Sequence, residues 1–186
     1  MNIDREEAVK LLKKNISNAN LQKHCFAVEA IMGALAKKFG QDIDRWKLAG
    51  LLHDIDYEET KDKPEIHSLI GAEMLSKIGL DKEIVEAVKT HNEMHGIEPR
   101  SLMAKSLFVA DPLSGLIVAS TLVLPSKKIK DLTLKSVLKK FKAKSFARGA
   151  NRKNIKKCED LINLSLEEFV GISLKAMQGI NQELGL

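Results

Sequence analysis

The sequence predicts an all-α protein, a single-domain helical bundle with a basic C-terminal helical extension. Apolar residues recur at helical spacing almost everywhere along the 186 residues. Residues 116–124 are rich in β-branched residues, but the chain offers no second strand-like segment to pair with them, so we predict a buried helix there. The length and a hydrophobic content of 44% suit one globular domain with a substantial core.

Cap residues and apolar stripes predict the individual helices. We expect Asp44 to cap a helix that carries Trp46, Gly50 and His53 on one face. Residues 56–64 and 94–100 interrupt the apolar pattern with charges, Gly or Pro and are predicted to be loops. The other predicted helices span residues 4–14, 18–39, 65–78, 81–92, 101–124 and 165–184.

Composition favours a cytoplasmic location. The first residues are charged and lack the apolar run of a secretory signal. Cys25 and Cys158 are the only cysteines, which is no disulfide framework and fits a reducing compartment. The longest apolar stretch, residues 101–124, is interrupted by Lys105, Asp111 and Pro112, so we expect no membrane span.

Positive charge is concentrated in residues 125–157, which contain thirteen Lys and Arg against Asp131 alone, a net charge of +12. The rest of the chain has seventeen basic and twenty-four acidic residues, a net −7, within a total of +5. Such a segment attracts phosphate-bearing ligands or nucleic acid. The alternative interpretation is a set of solvated helix faces, because lysine is the usual surface residue.

All five histidines fall between residues 24 and 95, and four of them lie on or near the inward stripe of a predicted helix: His24, His53, His67 and His91. A single inward histidine is more often a hydrogen-bonded core residue than a metal ligand. Four in one small domain would leave several polar rings in need of partners in an apolar core. A metal centre supplies those partners, because imidazole nitrogen is a favoured ligand of zinc, iron and similar ions.

Two aspartates strengthen the prediction of a metal centre. Asp54 follows His53 within an apolar sequence, where a carboxylate is costly unless a cation compensates its charge. Asp111 is preceded by the apolar residues 107–110. For Asp111 an alternative stays open, because an Asp before Pro112 can simply cap a new helix.

In order and context, these residues resemble the HD-domain superfamily of metal-dependent phosphohydrolases. Residues 49–55, Ala-Gly-Leu-Leu-His-Asp-Ile, resemble the helix that carries the HD pair. Residues 67–72 and 87–91 resemble the segments that add two histidines in one subgroup, and residues 107–111 resemble the segment of the last ligand. The resemblance covers about residues 15–124, an HD-type core, and leaves residues 125–186 as a helical extension of the same domain.

The resemblance implies a two-metal hydrolytic centre. His24, His53, Asp54 and Asp111 would hold one divalent ion, and Asp54 would bridge to a second ion held by His67 and His91. Iron, manganese, zinc, nickel and magnesium are not distinguished by these residue types. The implied reaction is attack of a metal-bound hydroxide on a phosphate ester or anhydride of a nucleotide or another small phosphorylated metabolite.

Cations are expected to position the phosphate, and small anionic substrates are favoured over nucleic acid as the partner. Lys105, six residues before Asp111, resembles a catalytic family position, whereas the other candidates rest on charge alone: Lys61, Lys63, Arg148 and Arg152. Asp56 and Glu93 could orient metal ligands from behind. The sequence departs from the family where His53-Asp54-Ile55 continues with Asp56-Tyr57, because the frequent Gly-Lys is missing there.

Two other functions stay open at this stage. Di-iron oxygenases of the same superfamily use a similar ligand set, and oxygen consumption separates them from hydrolases. An HD scaffold that only binds nucleotides or nucleic acid through residues 125–157 is the non-enzymatic alternative. That segment contains only Phe141 and Phe146 as aromatic residues, so base stacking on single strands has little support.

Overall fold

The computed structural model describes residues 3–186, and within that range the chain forms twelve α-helices, two 3₁₀ turns and no strand. The all-α prediction is confirmed. The 3₁₀ turns span Glu93–His95 and Ile129–Asp131. The helices are α1 (Arg5–Asn15), α2 (Ala19–Phe39), α3 (Ile43–Leu52), α4 (Tyr57–Thr60), α5 (Leu69–Lys77), α6 (Lys82–Thr90), α7 (Leu102–Leu122), α8 (Leu134–Lys142), α9 (Arg152–Lys156), α10 (Cys158–Ile162), α11 (Leu166–Gly179) and α12 (Asn181–Leu184).

Side-chain caps explain where most helices begin. The Asp4 carboxylate accepts the backbone N–H of Glu7, whose own side chain accepts the N–H of Asp4, which is a complete capping box. The predicted cap of α3 is wrong by two residues, since Asp42 accepts the N–H of Arg45. Asp44 lies in the first turn instead, where its negative charge still favours the helix dipole.

Three segments differ from the predicted boundaries. Residues 57–60 form the short helix α4 inside a predicted loop. The next helix begins at Leu69 rather than near residue 65, because Ser68 has a left-handed backbone with φ 70° and cannot continue a right-handed helix. The last predicted helix is divided at Ile180 into α11 and α12.

The two longest helices, α2 and α7, form the centre of the fold. α2 packs against α3, α7 and α11, while α6, α8, α9 and α10 pack against α7. α7 is long and apolar enough to cross a membrane by length and composition, but 61% of its most apolar window is buried within the fold. It is the core helix, as its buried side chains Met103, Leu107, Leu113 and Ile117 show.

Gly50 allows α3 to approach α2 closely. A Cβ atom at this position would lie 2.8 Å from the carbonyl oxygen of Val28 and 2.9 Å from the backbone N and Cα of Glu29. These are backbone atoms of a central helix and cannot turn aside as a side chain can. The close contact places His24 of α2 beside His53 at the end of α3.

Candidate metal centre

The structure brings all six predicted ligand side chains to one place. Each comes from the end or the middle of a different structural element, except for the adjacent His53 and Asp54. His53 directly follows α3 as its C-terminal cap residue, and Asp111 lies in the middle of α7. His67 precedes α5 rather than lying in its first turn. The six residues are His24, His53, Asp54, His67, His91 and Asp111.

One group of donor atoms surrounds the Nε2 atom of His24. That atom lies 3.1 Å from Nε2 of His53, 3.1 Å from Oδ1 of Asp111 and 3.5 Å from Oδ2 of Asp54. His24, His53 and Asp111 each offer an atom within 4.8 Å of the others, a spacing that could hold a metal ion.

A second group surrounds the other carboxylate oxygen of Asp54. Its Oδ1 lies 3.2 Å from Nε2 of His67 and 3.3 Å from Nε2 of His91. His53 Nε2 is also near, at 3.4 Å, and His53, Asp54 and His91 again form a group that could hold an ion. Asp54 therefore faces both groups, one with each oxygen.

Hydrogen bonds on the far side of each ring determine which nitrogen faces the centre. His53 Nδ1 lies 2.8 Å from the Gly50 carbonyl oxygen, and His91 Nδ1 lies 2.7 Å from that of Val88. Because a carbonyl only accepts, both Nδ1 atoms carry the proton. The other two Nδ1 atoms also have partners, at 3.0 Å for His24 with Ser114 Oγ and at 2.9 Å for His67 with Asp56 Oδ1.

This arrangement fits a metal ion. With Nδ1 protonated, a neutral imidazole presents an unprotonated Nε2, so four lone pairs and two carboxylates converge with no donor between them. Such a set is repulsive unless protons or cations occupy the space. Nitrogen ligands with an outward hydrogen bond to a carbonyl or carboxylate are the usual environment of zinc, iron or nickel, and the carboxylates also suit manganese or magnesium.

Protons should replace the cation when the metal is removed. Burial lowers the pKa of His53, but the carboxylates of Asp54 and Asp111 outweigh this and raise it to about 9. Burial opposes protonation of His67 as well, yet Asp54 and Asp56 raise its pKa to about 10.

In chelator, the free energy of unfolding is therefore expected to be pH-dependent. The contribution of these two protonations is complete below the ordinary pKa of 6.5 and is lost as pH rises through 9 and 10. Added metal should reverse the trend, because its ligands must be deprotonated. Denaturant titrations across this pH range check both profiles, and a flat profile for the metal-free protein would contradict the assignment.

The capping alternative for Asp111 is wrong. α7 continues without a break from Leu102 to Leu122 with Pro112 inside it, so no new helix begins at this aspartate. Its carboxylate instead lies half-buried beside His24 and His53. Loss of hydration raises its pKa, but the two imidazoles outweigh this and lower the pKa below its ordinary value.

Asp56 holds His67 from behind, as predicted for an orienting carboxylate. Its Oδ1 accepts from His67 Nδ1 at 2.9 Å, and its Oδ2 accepts the backbone N–H groups of Ser68 and Gly71 at 2.8 Å each. These bonds fix the irregular turn that contains the left-handed Ser68. The Asp56 carboxylate also lies close to Gly71, where an added Cβ atom would be 3.2 Å away from it, tighter than an ordinary contact.

The change Asp56→Asn is expected to weaken metal binding by about 10- to 100-fold, the usual cost of losing an outer partner of a ligand. The amide can still accept from His67, but its NH₂ group then faces two backbone donors, which costs about 1–3 kcal/mol of stability. Metal titration and denaturant unfolding measure the two effects. Asp62→Asn, an exposed carboxylate six residues away, is the matched control, and equal behaviour of both variants would exclude the positioning role.

The metal ligands open into a cavity of about 410 Å³. Its wall combines three apolar side chains, Leu21, Phe108 and Pro112, with Tyr57, Asn92 and Glu93. The C-terminal extension closes one side with four residues that the sequence did not indicate: Gly149, Ala150, Asn151 and Asn154. Glu93 joins the two sides, because its carboxylate accepts from Asn151 Nδ2 at 2.7 Å and from Asn154 Nδ2 at 2.8 Å.

None of the five cations predicted to position phosphate lines this cavity within the described chain. Lys105 lies in a neighbouring cavity, and Lys61 lines another beside Ser17 and Glu58. Lys63 and Arg148 are exposed surface residues. These placements correct the expectation of cations beside the candidate metal ligands.

Arg152 has a structural task instead of substrate binding. Its Nε donates to the carbonyl oxygen of Phe141 at 3.0 Å, and its Nη1 donates to those of Ala147 and Ala150 at 3.0 Å each. Nη2 contacts three further carbonyls, that of Lys140 in the last turn of α8 and those of Ala143 and Phe146 in the loop that follows. The guanidinium thus organises residues 140–150, which include part of the cavity wall.

The HD-domain family model matches residues 21–116, more than half of the chain, and the chain therefore belongs to the HD-domain family. Family membership and the histidine–aspartate cluster together indicate a metal-dependent hydrolase.

Among curated proteins the chain is similar to bacterial enzymes named ribonuclease Y. It is 38% identical to that of Oleidesulfovibrio alaskensis, 36% to that of Nitratidesulfovibrio vulgaris and 34% to that of Geobacter sulfurreducens, in each case over 96 residues. The aligned part is 52% of this chain but only 18% of each relative, so the similarity concerns the HD region alone.

Proposed function

We propose that the protein is a phosphohydrolase that cleaves a phosphate ester or anhydride of a nucleotide with two divalent ions. One observation carries the proposal: four imidazoles, with hydrogen bonds on their far nitrogens, direct Nε2 towards one another and towards two carboxylates. His24, His53 and Asp111 would hold one ion, His67 and His91 the other, and Asp54 would contribute one oxygen to each. When bound, the ions lower the pKa of a water molecule and compensate charge on the phosphate.

The residues of the chain supply position and access. Six protein ligands for two ions would leave coordination positions for water and substrate, as a catalytic site requires. Hydrolysis forms a bond from the water oxygen to phosphorus and breaks the bond to the leaving oxygen, which receives the proton. The apolar wall of Leu21, Phe108 and Pro112 suits a nucleobase or sugar face, and Tyr57, Asn92 and Glu93 offer polar contacts.

The relatives support a nucleotide as the substrate class, because ribonucleases cleave phosphodiester bonds between nucleotides. The cavity of about 410 Å³ is within the range of small-molecule sites and is open enough to admit part of a longer substrate.

Metal analysis of protein purified without chelator, followed by a screen of phosphate esters and nucleotides, tests the proposal. We expect bound divalent metal and metal-dependent release of phosphate or nucleotide. Oxygen consumption is measured in parallel on anaerobically purified protein. Bound metal with oxygen consumption and no hydrolysis would overturn the proposal in favour of an oxygenase.

A further inference from the structure

A second cavity adjoins the metal cavity, with Phe108 as the shared wall. It has a volume of about 610 Å³, and its wall includes the cations Arg100, Lys105 and Lys157. We call it the flanking groove. Phe108 lines both cavities, and Lys157 lies over its ring with Nζ 5.1 Å from the centroid.

The flanking groove and the metal centre lie along one row of α7. Lys105, Phe108 and Asp111 follow one another at intervals of three residues, which places them on adjoining turns of the helix surface. With a rise of 1.5 Å per residue, Lys105 is about 9 Å from Asp111 along the helix axis. A ligand that reaches both the ions at the metal centre and the ammonium of Lys105 would therefore carry two anionic groups separated by several bonds.

The groove cations have no anionic partner in the described residues. Glu98 and Asp160 share the wall, but neither forms an ion pair with Arg100, Lys105 or Lys157. Lys105 is half-buried. In residues 3–186, no ion pair involves any of the thirteen cations of segment 125–157, to which Lys157 belongs. Lys157 thus brings one unpaired cation of that segment into the groove, beside Arg100 and Lys105.

We propose that the flanking groove binds the neighbouring phosphate of a single-stranded oligonucleotide whose scissile phosphate lies at the metal centre. This inference rests on the proposed hydrolytic function and replaces the expectation of small substrates only. Neighbouring phosphates of an anhydride share an oxygen atom, so they lie much closer together than the roughly 9 Å of helix axis that separates Asp111 from Lys105. Phosphates of a nucleic-acid strand are separated by a whole sugar, which suits that distance and leaves the nucleoside beside Phe108.

Steady-state kinetics of the metal-loaded full chain test the inference. The variants Lys105→Ala and Lys157→Ala are compared on short single-stranded RNA and DNA oligomers and on bis(p-nitrophenyl) phosphate, a diester with a single phosphate. We expect KM for the oligomers to rise on the order of 10-fold for each lost cation, with kcat little changed. The rise should exceed any effect on the small diester by a similar factor. The matched control is Lys144→Ala, which removes an exposed cation of the basic segment outside the groove. It should leave KM and kcat unchanged on both kinds of substrate.

Equal effects on oligomers and on the small diester, or no effect of either variant, would overturn the inference. A rise confined to dinucleoside polyphosphates, run as a further arm, would overturn the choice of an oligonucleotide.

Anisotropy titrations with labelled oligomers separate this result from a failure of the proposed function. The log of the affinity falls as the log of the salt concentration rises, and each groove variant should make this slope less steep by about one. If the wild-type protein hydrolyses none of the substrates but the groove variants still show the smaller salt dependence, the binding role of the groove stands and the proposed reaction is rejected.

Discussion

Replacing Asp54 by asparagine is expected to lower hydrolytic activity by more than about 100-fold, which exceeds the usual cost of losing an outer partner of a metal ligand. The Asp54 carboxylate lies 3.2 to 3.5 Å from the Nε2 atoms of all four histidines. An amide keeps the shape but loses the negative charge, and its NH₂ group cannot bind a cation. Asp54 faces both groups of donors, with Oδ2 near His24 and Oδ1 near His67 and His91.

The same variant should lose its stabilisation by metal. For the wild-type protein, metal at about 100 times its Kd adds roughly 2.7 kcal/mol to the free energy of unfolding. Metal analysis, thermal unfolding with and without metal, and activity measured on one preparation check the prediction. Asp62→Asn serves as the control because its side chain is exposed and outside the centre. Wild-type metal content and rate in Asp54→Asn would refute the assignment of the bridging ligand.

The change Gly50→Ala is expected to destabilise the fold by about 1–3 kcal/mol, the usual cost of forcing an extra carbon into a packed interior. The new Cβ would lie 2.8 to 2.9 Å from backbone atoms of α2, so the two helices must separate. Metal affinity should fall as well, because the Gly50 carbonyl accepts from His53 Nδ1 and His24 lies on the displaced helix.

Denaturant unfolding and metal titration measure the two consequences of Gly50→Ala. Gly179→Ala is the matched control, since a Cβ there meets nothing within 4 Å and the change should raise stability by at most about 1 kcal/mol. Equal stability of both variants would show that the helix contact tolerates a methyl group.

The metal centre could be predicted from the sequence because its ligands stand out by residue type. Histidine is uncommon on an inward helical stripe, so four of them within residues 24–91 are a strong signal. His95 belongs to neither group of candidate ligand atoms. Its Nε2 donates to the backbone carbonyl of His67 at 2.6 Å and so braces the turn beside the centre.

The part of the cavity wall from the C-terminal extension could not be predicted, because its residues are of common types that carry no local signal of a site. Asn151 and Asn154 contact Glu93 across some sixty positions of sequence, and no local pattern indicates such a pairing. Charge alone also misled the prediction for Arg152, since a guanidinium that binds carbonyl oxygens looks the same in a sequence as one that binds phosphate. Asp42 and Asp44 show a similar ambiguity, because both are aspartates and both stand where a helix cap is expected.

The Arg152 guanidinium and the loop it organises have a consequence for how this protein can diversify. All six candidate ligands precede residue 112, whereas the cavity roof at residues 149–154 follows residue 140 and is held by Arg152 and by Glu93. The candidate ligands and this part of the cavity wall thus lie in separate stretches of the chain. Changes in the length or composition of residues 149–154 are therefore expected to reshape the opening of the cavity without altering the candidate ligands.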